Sequence, residues 1–104
     1  MELLDLTTVT HETFLPYVGQ TFQVSVPSTA SKSVPLELVG IRELGRRLPD
    51  GKRSPFSLDF LGVSGLRLPQ GTYRFENGDT GAFEIFITQH GDGPQGSEFG
   101  AVFG

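Results

Sequence analysis

Two runs of alternating apolar and polar residues flank a turn-rich segment in the C-terminal half of the chain. Tyr73 and Phe75 are the apolar positions before the turn, and Phe83, Ile85 and Ile87 are those after it. Alternation with a period of two is typical of a β-strand that buries one face, and the intervening asparagine, glycines and aspartate favour a turn. The sequence therefore predicts a β-hairpin.

The faces that the two arms share determine the length of the loop between them. A two-residue Asn-Gly turn would place Phe75 and Phe83 on opposite faces, because a register shift of one residue reverses every side chain. A five-residue loop over residues 77–81 instead sets Phe75 opposite Phe83. It also sets Arg74 opposite Glu84 on the other face, which predicts an ion pair there.

The same period of two predicts four further strands. They cover residues 21–26, 35–44, 56–60 and 99–103. Six short strands separated by turn residues at intervals of about ten indicate a small closed or sandwiched sheet. The predicted fold is all-β: a small antiparallel six-stranded barrel or sandwich with a short N-terminal helix, formed as a single domain over residues 1–104.

The predicted helix covers residues 8–17, with a threonine as N-cap and Gly19 as its stop. Phe14, Tyr17 and Val18 have the spacing that lays one apolar stripe along a helix. We therefore expect this stripe to face the core and the helix to cover one end of the sheet.

The second predicted strand changes phase along its length. Leu36 and Leu38 have one parity, whereas Val39 and Ile41 have the other, and Gly40 lies at the change. One extra residue in a strand produces such a change, so we expect a β-bulge within two residues of Gly40.

Composition narrows the possible classes of protein. The chain has 104 residues, no cysteine and a net charge of −4, and its nine phenylalanines with no tryptophan predict a phenylalanine core. No apolar run approaches the roughly 20 residues that a membrane-spanning helix needs. The start of the chain lacks the basic and apolar regions of a secretory leader. We expect a cytoplasmic protein with no membrane partner, and leave open its incorporation into a larger particle.

Two glycine-containing motifs predict turns instead of ligand sites. Residues 91–96 match the pattern G-x-G-x-x-G, but a phosphate-binding loop must open a helix, and strand-like residues 98–103 follow. Residues 90–96 are therefore predicted to form a glycine-rich loop. Residues 77–81 lack the further acidic ligands of a calcium loop and are predicted to be a plain hairpin loop.

No constellation of catalytic or metal-ligating residues is evident in the sequence. His11 and His90 are the only histidines, and neither has a second ligand at metal spacing. Ser57 and Asp59 lie on a predicted strand with no base nearby in the sequence. We therefore expect no catalytic residue, no metal site and no cofactor.

The charged residues are segregated along the chain. Residues 42–53, called here the basic segment, contain five of the eight basic residues, whereas residues 75–104 contain five acids and no lysine or arginine. The basic residues are Arg42, Arg46, Arg47, Lys52 and Arg53. Two interpretations remain open: a solvated hairpin tip, or a docking surface for an acidic protein partner or for a second copy of the chain.

Several segments together resemble an uncharacterised family of short bacterial proteins that is known only as a domain of unknown function. They are residues 14–22, 34–39, 55–58, 68–75 and 101–103, of which Leu-Pro-Gln-Gly-Thr-Tyr at 68–73 is the most specific. Members are typically encoded near phage-tail-like proteins. The resemblance implies a small structural or accessory component, and no catalytic residues carry over from it.

The sequence thus favours a noncatalytic structural or protein-binding module, as an accessory component of a phage-tail-like or related bacterial assembly. A small oligonucleotide-binding β-barrel is the alternative, although the negative net charge and the absence of aromatic residues in the basic segment disfavour nucleic acid. A small-ligand-binding barrel or a hydrolase is a third interpretation.

Overall fold

A computed structural model of the protein describes residues 11–25, 33–43, 55–78 and 81–103. One helical turn, α1, continues into a 3-10 turn at Leu15–Tyr17, and six strands follow. Their bounds are α1 His11–Phe14, β1 Thr21–Ser25, β2 Ser33–Glu43, β3 Phe56–Gly62, β4 Gly71–Asn77, β5 Gly81–Gly93 and β6 Gly96–Phe103. The strands form a closed barrel, so the all-β prediction with a short N-terminal helix is confirmed and the barrel replaces the sandwich.

The strand order around the barrel is β1-β2-β3-β6-β5-β4, and all neighbours are antiparallel. The return of β4 to the side of β1 makes the connection a Greek key. Two long strands each pair with two neighbours along different parts of their length. Strand β2 pairs with β1 over residues 33–37 and with β3 over residues 37–43. Strand β5 pairs with β4 over residues 81–87 and with β6 over residues 88–93. These two strands bend the sheet into a barrel.

Phenylalanine side chains fill the interior. Eight of the nine phenylalanines are buried, and Phe86 alone points outward. Phe22 meets Phe60 and Phe83 edge to face, with ring centroids 6.1 and 5.7 Å apart, and Phe75 stacks on Phe83 at 5.5 Å. Such ring pairs add about 0.5–1.5 kcal/mol each to the free energy gained by burial. The barrel is therefore a packed core and not a ligand cavity.

The N-terminal helix covers one end of this core. Phe14 is fully buried, and its ring lies 5.7–6.3 Å from the rings of Phe56, Phe83 and Phe103. The predicted inward position of Val18 is wrong, since its side chain is 42% exposed. The regular helix ends at Phe14 and the backbone of Val18 is extended, so the spacing of a continuous helix no longer applies. The predicted N-cap threonines lie outside the described residues.

The bulge predicted near Gly40 is confirmed. Leu38 pairs with Phe60 and Gly40 pairs with Asp59, so Val39 is the extra residue in β2. Bulges bend a strand and increase its twist, which suits a strand that passes from one neighbour to the next.

The register of the β4–β5 hairpin is also confirmed, because Phe75 lies opposite Phe83. The loop is shorter than predicted, since Asn77 pairs with Gly81 and only residues 78–80 remain between them. Arg74 lies opposite Glu84 as predicted, but the predicted ion pair is wrong, because the Nε of Arg74 donates to Glu76, two residues along the same strand, at 2.7 Å. Residues two apart share a strand face, so Glu76 competes with the cross-strand acid.

The glycine-rich loop predicted over residues 90–96 is instead a hairpin tip. Strand pairing continues to Gly93 and Gly96, which leaves a two-residue turn at Pro94 and Gln95. Gly96 has a φ of 146°, and a Cβ at this position would collide with the carbonyl oxygen of Gly62. Glycine here permits two strands to approach closely, and no phosphate-binding loop forms.

The connector between β3 and β4, residues 63–70, is fastened across this hairpin by charged hydrogen bonds. Arg67 donates to both carboxylate oxygens of Asp92, at 3.1 and 2.8 Å, and the Ser97 hydroxyl donates to the same group at 2.8 Å. The Arg67 guanidinium and the Ser97 hydroxyl hold the pKa of the Asp92 carboxyl well below its usual range. Bidentate contacts of this kind fix geometry as well as charge.

The side chain of Gln89 in β5 also holds the connector, near the point where β5 stops pairing with β4. The Nε2 of Gln89 donates to the carbonyl of Leu66 at 2.7 Å, and the N–H of Leu68 donates to its Oε1 at 3.0 Å. The side chain thereby satisfies backbone groups of the connector that lie outside the strand pairing.

Replacing a core phenylalanine should separate the contributions of the interior and the exterior of one strand. We expect Phe83→Ala to lower the free energy of unfolding by about 3–5 kcal/mol, because it removes stacked and edge contacts and leaves a cavity. Phe86→Ala, three residues away but exposed, should change it by less than about 0.5 kcal/mol. Urea unfolding of both variants checks this, and equal losses would contradict the assignment of faces.

The connector contact should make stability depend on pH. The pKa of Asp92 is lower in the folded state than in the unfolded state, so its contribution is complete above the unfolded pKa of about 3.9 and is lost as the pH falls toward the folded pKa. Asp92→Asn should therefore be less stable than wild type at pH 7, and this difference should shrink in acid. Glu84→Gln removes the same charge away from Arg67 and is the control. A pH-independent difference in unfolding free energy between wild type and Asp92→Asn would contradict the assignment.

Candidate functional site

The outer face of the barrel carries a groove of about 400 Å³ where β5 turns away from β6. Pairing between these strands ends at Thr88 and Gly100, and the earlier part of β5 pairs with β4. The polar and aromatic side chains of this outer groove are Arg42, Ser57, Asp59, Phe86, Thr88 and His90. A smaller depression of about 270 Å³ adjoins it, sharing Arg42, Asp59 and His90 and reaching Glu98. The outer groove thus extends along the face towards the hairpin tip.

Cross-strand register brings these residues together from four strands. Across the strands, Asp59 pairs with Gly40 on one side and with Gly100 on the other, and Gly100 in turn pairs with Thr88. The neighbouring row runs from Arg42 through Ser57 to Val102. Because side chains alternate between faces, both rows point outward, while the row between them, Ile41, Leu58 and Ala101, points inward.

Glycines make this part of the face concave. A Cβ on Gly100 would lie 2.7 Å from the imidazole of His90, so the ring rests against strand backbone where a side chain would otherwise stand. A Cβ on Gly40 would contact the carboxylate of Asp59 at 3.7 Å. Glycine within a strand commonly marks such a close approach.

A second bulge directs the imidazole toward the groove. Gln89 pairs with Phe99 and Gly91 pairs with Glu98, so His90 is the extra residue in β5. Its side chain lines both the outer groove and the adjoining depression. Bulges often re-aim a side chain at a site, and this one does so at the edge of the groove.

Arg42 and Asp59 form a bidentate ion pair at the groove. The Nε and Nη2 of Arg42 donate to the two carboxylate oxygens at 3.1 Å each. The side chains are 63% and 28% exposed, so the pair contributes no more than about 1 kcal/mol to folding. A guanidinium has five N–H donors, and within the described part of the chain the remaining three of Arg42 have no acceptor.

Ser57 contributes a buried hydroxyl without a hydrogen-bond partner. The residue is 4% exposed, and its Oγ is the one buried side-chain oxygen or nitrogen of the described residues that lacks a partner. The buried Ser97 differs, since its hydroxyl donates to Asp92 Oδ1 at 2.8 Å and its Oγ also lies 3.0 Å from the carbonyl oxygen of Leu66. An unsatisfied buried hydroxyl costs about 1–3 kcal/mol, so each such group calls for an explanation.

Apolar side chains stand at the end of the groove where the strands separate. Phe86 is 55% exposed and Val102 is 72% exposed. The groove therefore combines apolar contact surface with a guanidinium, an imidazole and an unpaired hydroxyl. This composition suits binding, in which a few polar groups orient a mainly apolar contact.

The sequence predicted no base near Ser57 and Asp59, but the structure places His90 on the same groove. The three residue types of a hydrolytic triad are therefore neighbours. Their hydrogen bonds are not those of a proton relay, because the Ser57 Oγ has no partner among the described residues and the oxygens of Asp59 accept from Arg42. The arrangement offers unused hydrogen-bonding capacity.

Of the predicted docking residues, Arg42 lies at the groove, and the other four fall outside the described residues. Those four are Arg46, Arg47, Lys52 and Arg53. Within the part of the chain that is described, no group of three or more histidine, aspartate or glutamate residues could hold a metal ion. No described helix has the length and apolar character to cross a membrane.

Two serine variants test the contrast between the buried hydroxyls. Ser57→Ala removes a polar group without a partner, so we expect the free energy of unfolding to rise, by up to about 1–3 kcal/mol. Ser97→Ala removes the hydroxyl that donates to Asp92 and should lower the free energy of unfolding by a similar amount. Urea unfolding of both proteins provides the measurement. A loss of stability in Ser57→Ala would mean that its hydroxyl has a partner in solution.

Comparison with known proteins adds a family and no activity. No curated protein and no solved structure matches the chain. One family profile does match, over residues 9–103, and this span includes every strand described above. The resemblance to a family without a known function is thereby confirmed in its general form, and the chain belongs to the family described as Domain of unknown function (DUF6916).

Proposed function

We propose that this domain is a noncatalytic protein-binding module and an accessory component of a phage-tail-like or related bacterial assembly. The observation that carries the proposal is the outer groove, which combines the exposed Phe86 and Val102 with unused hydrogen-bond donors. The barrel interior is filled by phenylalanine, which leaves the outer surface for recognition.

The charge distribution suggests the character of the partner. Arg42, at the groove, is the first residue of the basic segment, whose residues 44–53 lie outside the described part of the chain. A cluster of basic residues attracts an acidic surface and speeds encounter with it. Residues 75–104 of a second copy are also acidic and therefore complement the basic segment in charge. Docking of this kind would build a head-to-tail assembly.

The closed barrel constrains how an assembly could form. In a closed barrel each strand has a neighbour on both sides, which removes the sheet edges that proteins otherwise use to add strands. Association would therefore proceed through side chains on the outer face. A component that joins others in this way fits an accessory role in a larger particle.

An oligonucleotide-binding barrel is the second candidate. Phe86 and His90 present exposed rings on the outer face, and bases stack on such rings. The net charge of −4 and the presence of Glu98 beside the groove oppose a polyanion. A small-ligand barrel has less support because the interior is packed.

The proposal predicts a salt-dependent association that requires the basic segment. Replacing Arg46, Arg47, Lys52 and Arg53 with serine should weaken binding to the partner or to a second copy, most clearly at low salt, and should leave the melting temperature almost unchanged. Quantitative pull-down from native lysate and analytical ultracentrifugation measure the two kinds of association. Arg74→Gln, on the opposite side of the barrel order, controls for the loss of positive charge.

Two results would contradict the proposal. One is normal association of the fourfold variant at low salt. The other is tight binding of wild type to single-stranded oligothymidylate with a steep dependence on salt, which would favour the nucleic-acid alternative.

A further inference from the structure

We infer that the outer groove binds a short segment of a partner protein that carries an apolar side chain next to an acidic one. The apolar side chain would lie between Phe86 and Val102, and the carboxylate would accept from Arg42. This inference rests on the proposed function and specifies the partner chemistry and the place of contact.

The unsatisfied hydroxyl of Ser57 is the first observation in support. Ser57 lines the groove, and among the described residues its buried Oγ has no hydrogen-bond partner. A bound peptide supplies a carbonyl and an N–H at every residue, and a serine hydroxyl can donate to one or accept from the other. A peptide group that reached this Oγ on binding would remove the cost of the unsatisfied hydroxyl.

Arg42 favours an acidic residue over a basic one. Asp59 accepts from the Nε and Nη2 of the guanidinium and thereby fixes its plane, while the other N–H donors of Arg42 have no acceptor within the described residues. A carboxylate can accept from those donors without disturbing the ion pair. A lysine or arginine at the same place would meet the guanidinium directly and be repelled.

Glu98 limits how far the negative charge of the occupant can extend. It lines the depression that continues the groove beyond His90. A chain of phosphates along the groove would place negative charge beside this carboxylate. A peptide with one acidic residue at Arg42 avoids that repulsion, and for this reason the occupant is a peptide and not a nucleic acid.

Phe86 and Val102 determine the apolar position. They come from β5 and β6 at the point where these strands are no longer paired with each other. Both side chains are more than half exposed. An aliphatic or aromatic side chain placed between them would bury apolar surface on both sides, which is the arrangement of an interface anchor.

The test compares three probes on the full-length chain. The first is a fluorescein-labelled decapeptide of glycine and serine with one leucine-glutamate pair, the second has lysine in place of the glutamate, and the third is a labelled oligothymidylate. Fluorescence anisotropy gives affinity, and ¹⁵N NMR locates the contact. We expect the leucine-glutamate peptide to bind most tightly and to shift the amide signals of Ser57, Phe86 and Val102.

Three variants of the groove and one control sharpen the result. Ser57→Ala, Arg42→Gln and Val102→Ser should each weaken the leucine-glutamate peptide by about tenfold. Val63→Ser removes an equally exposed valine on the connector and should leave affinity unchanged. Because Ser57→Ala is expected to be more stable than wild type, loss of binding in this variant cannot be ascribed to unfolding.

The possible outcomes distinguish the inference from the proposed function. Equal binding of the lysine peptide, no binding of the leucine-glutamate peptide at millimolar concentration, or oligothymidylate binding that shifts Phe86 would each overturn the inference. If the groove variants retain the lysate partner while the fourfold basic-segment variant loses it, the proposed function stands and the groove assignment fails. Loss of the partner in both supports the two together.

Discussion

The packing of phenylalanine rings inside the barrel is the interaction on which the rest of this structure depends. Rings from α1 and from every strand except β2 fill the interior, and Phe22, Phe75 and Phe83 contact one another there. Large flat side chains fill a six-stranded barrel without leaving space for a ligand. Since the sheet is also closed, the described residues leave neither an internal cavity nor a free strand edge. The proposed recognition therefore uses the outer face of the barrel.

Two bulges connect the folding of the barrel to the shape of the outer groove. The extra residues are Val39 in β2 and His90 in β5, the two strands that each pair with two neighbours. A bulge lets a strand bend, and it also changes which way the following side chains point. Here the bulge in β2 precedes Arg42, and the bulge in β5 turns an imidazole over Gly100. The same irregularities that close the sheet thus build its candidate site.

The hydrogen bonding of the two buried serines differs between two parts of the barrel. Ser97 belongs to the contact that holds the connector across the hairpin tip, where Arg67 and Asp92 also meet, and its hydroxyl is fully used. Ser57 lies beside Arg42, and its hydroxyl is unused. The first arrangement fixes the Greek-key crossover. The second leaves a buried hydroxyl unsatisfied next to Arg42, and this contrast is the physical basis for proposing a structural role for one region and recognition for the other.

The sequence by itself determined the strands, their buried faces and the pairing of β4 with β5, which are neighbours in the chain. Alternation at Tyr73, Phe75 and Phe83 specified the hairpin register, because parity permits one common face only, and the phase change near Gly40 located the bulge. Only the tertiary structure decided that β3 lies beside β6, and hence that Asp59, Gly100 and His90 meet. Alternation records which face a residue takes but not which distant strand lies next to it. The same limit explains the missed connector contact and the misassigned tip at residues 90–96: partners far apart in the chain satisfied those segments, and local turn chemistry could not reveal them.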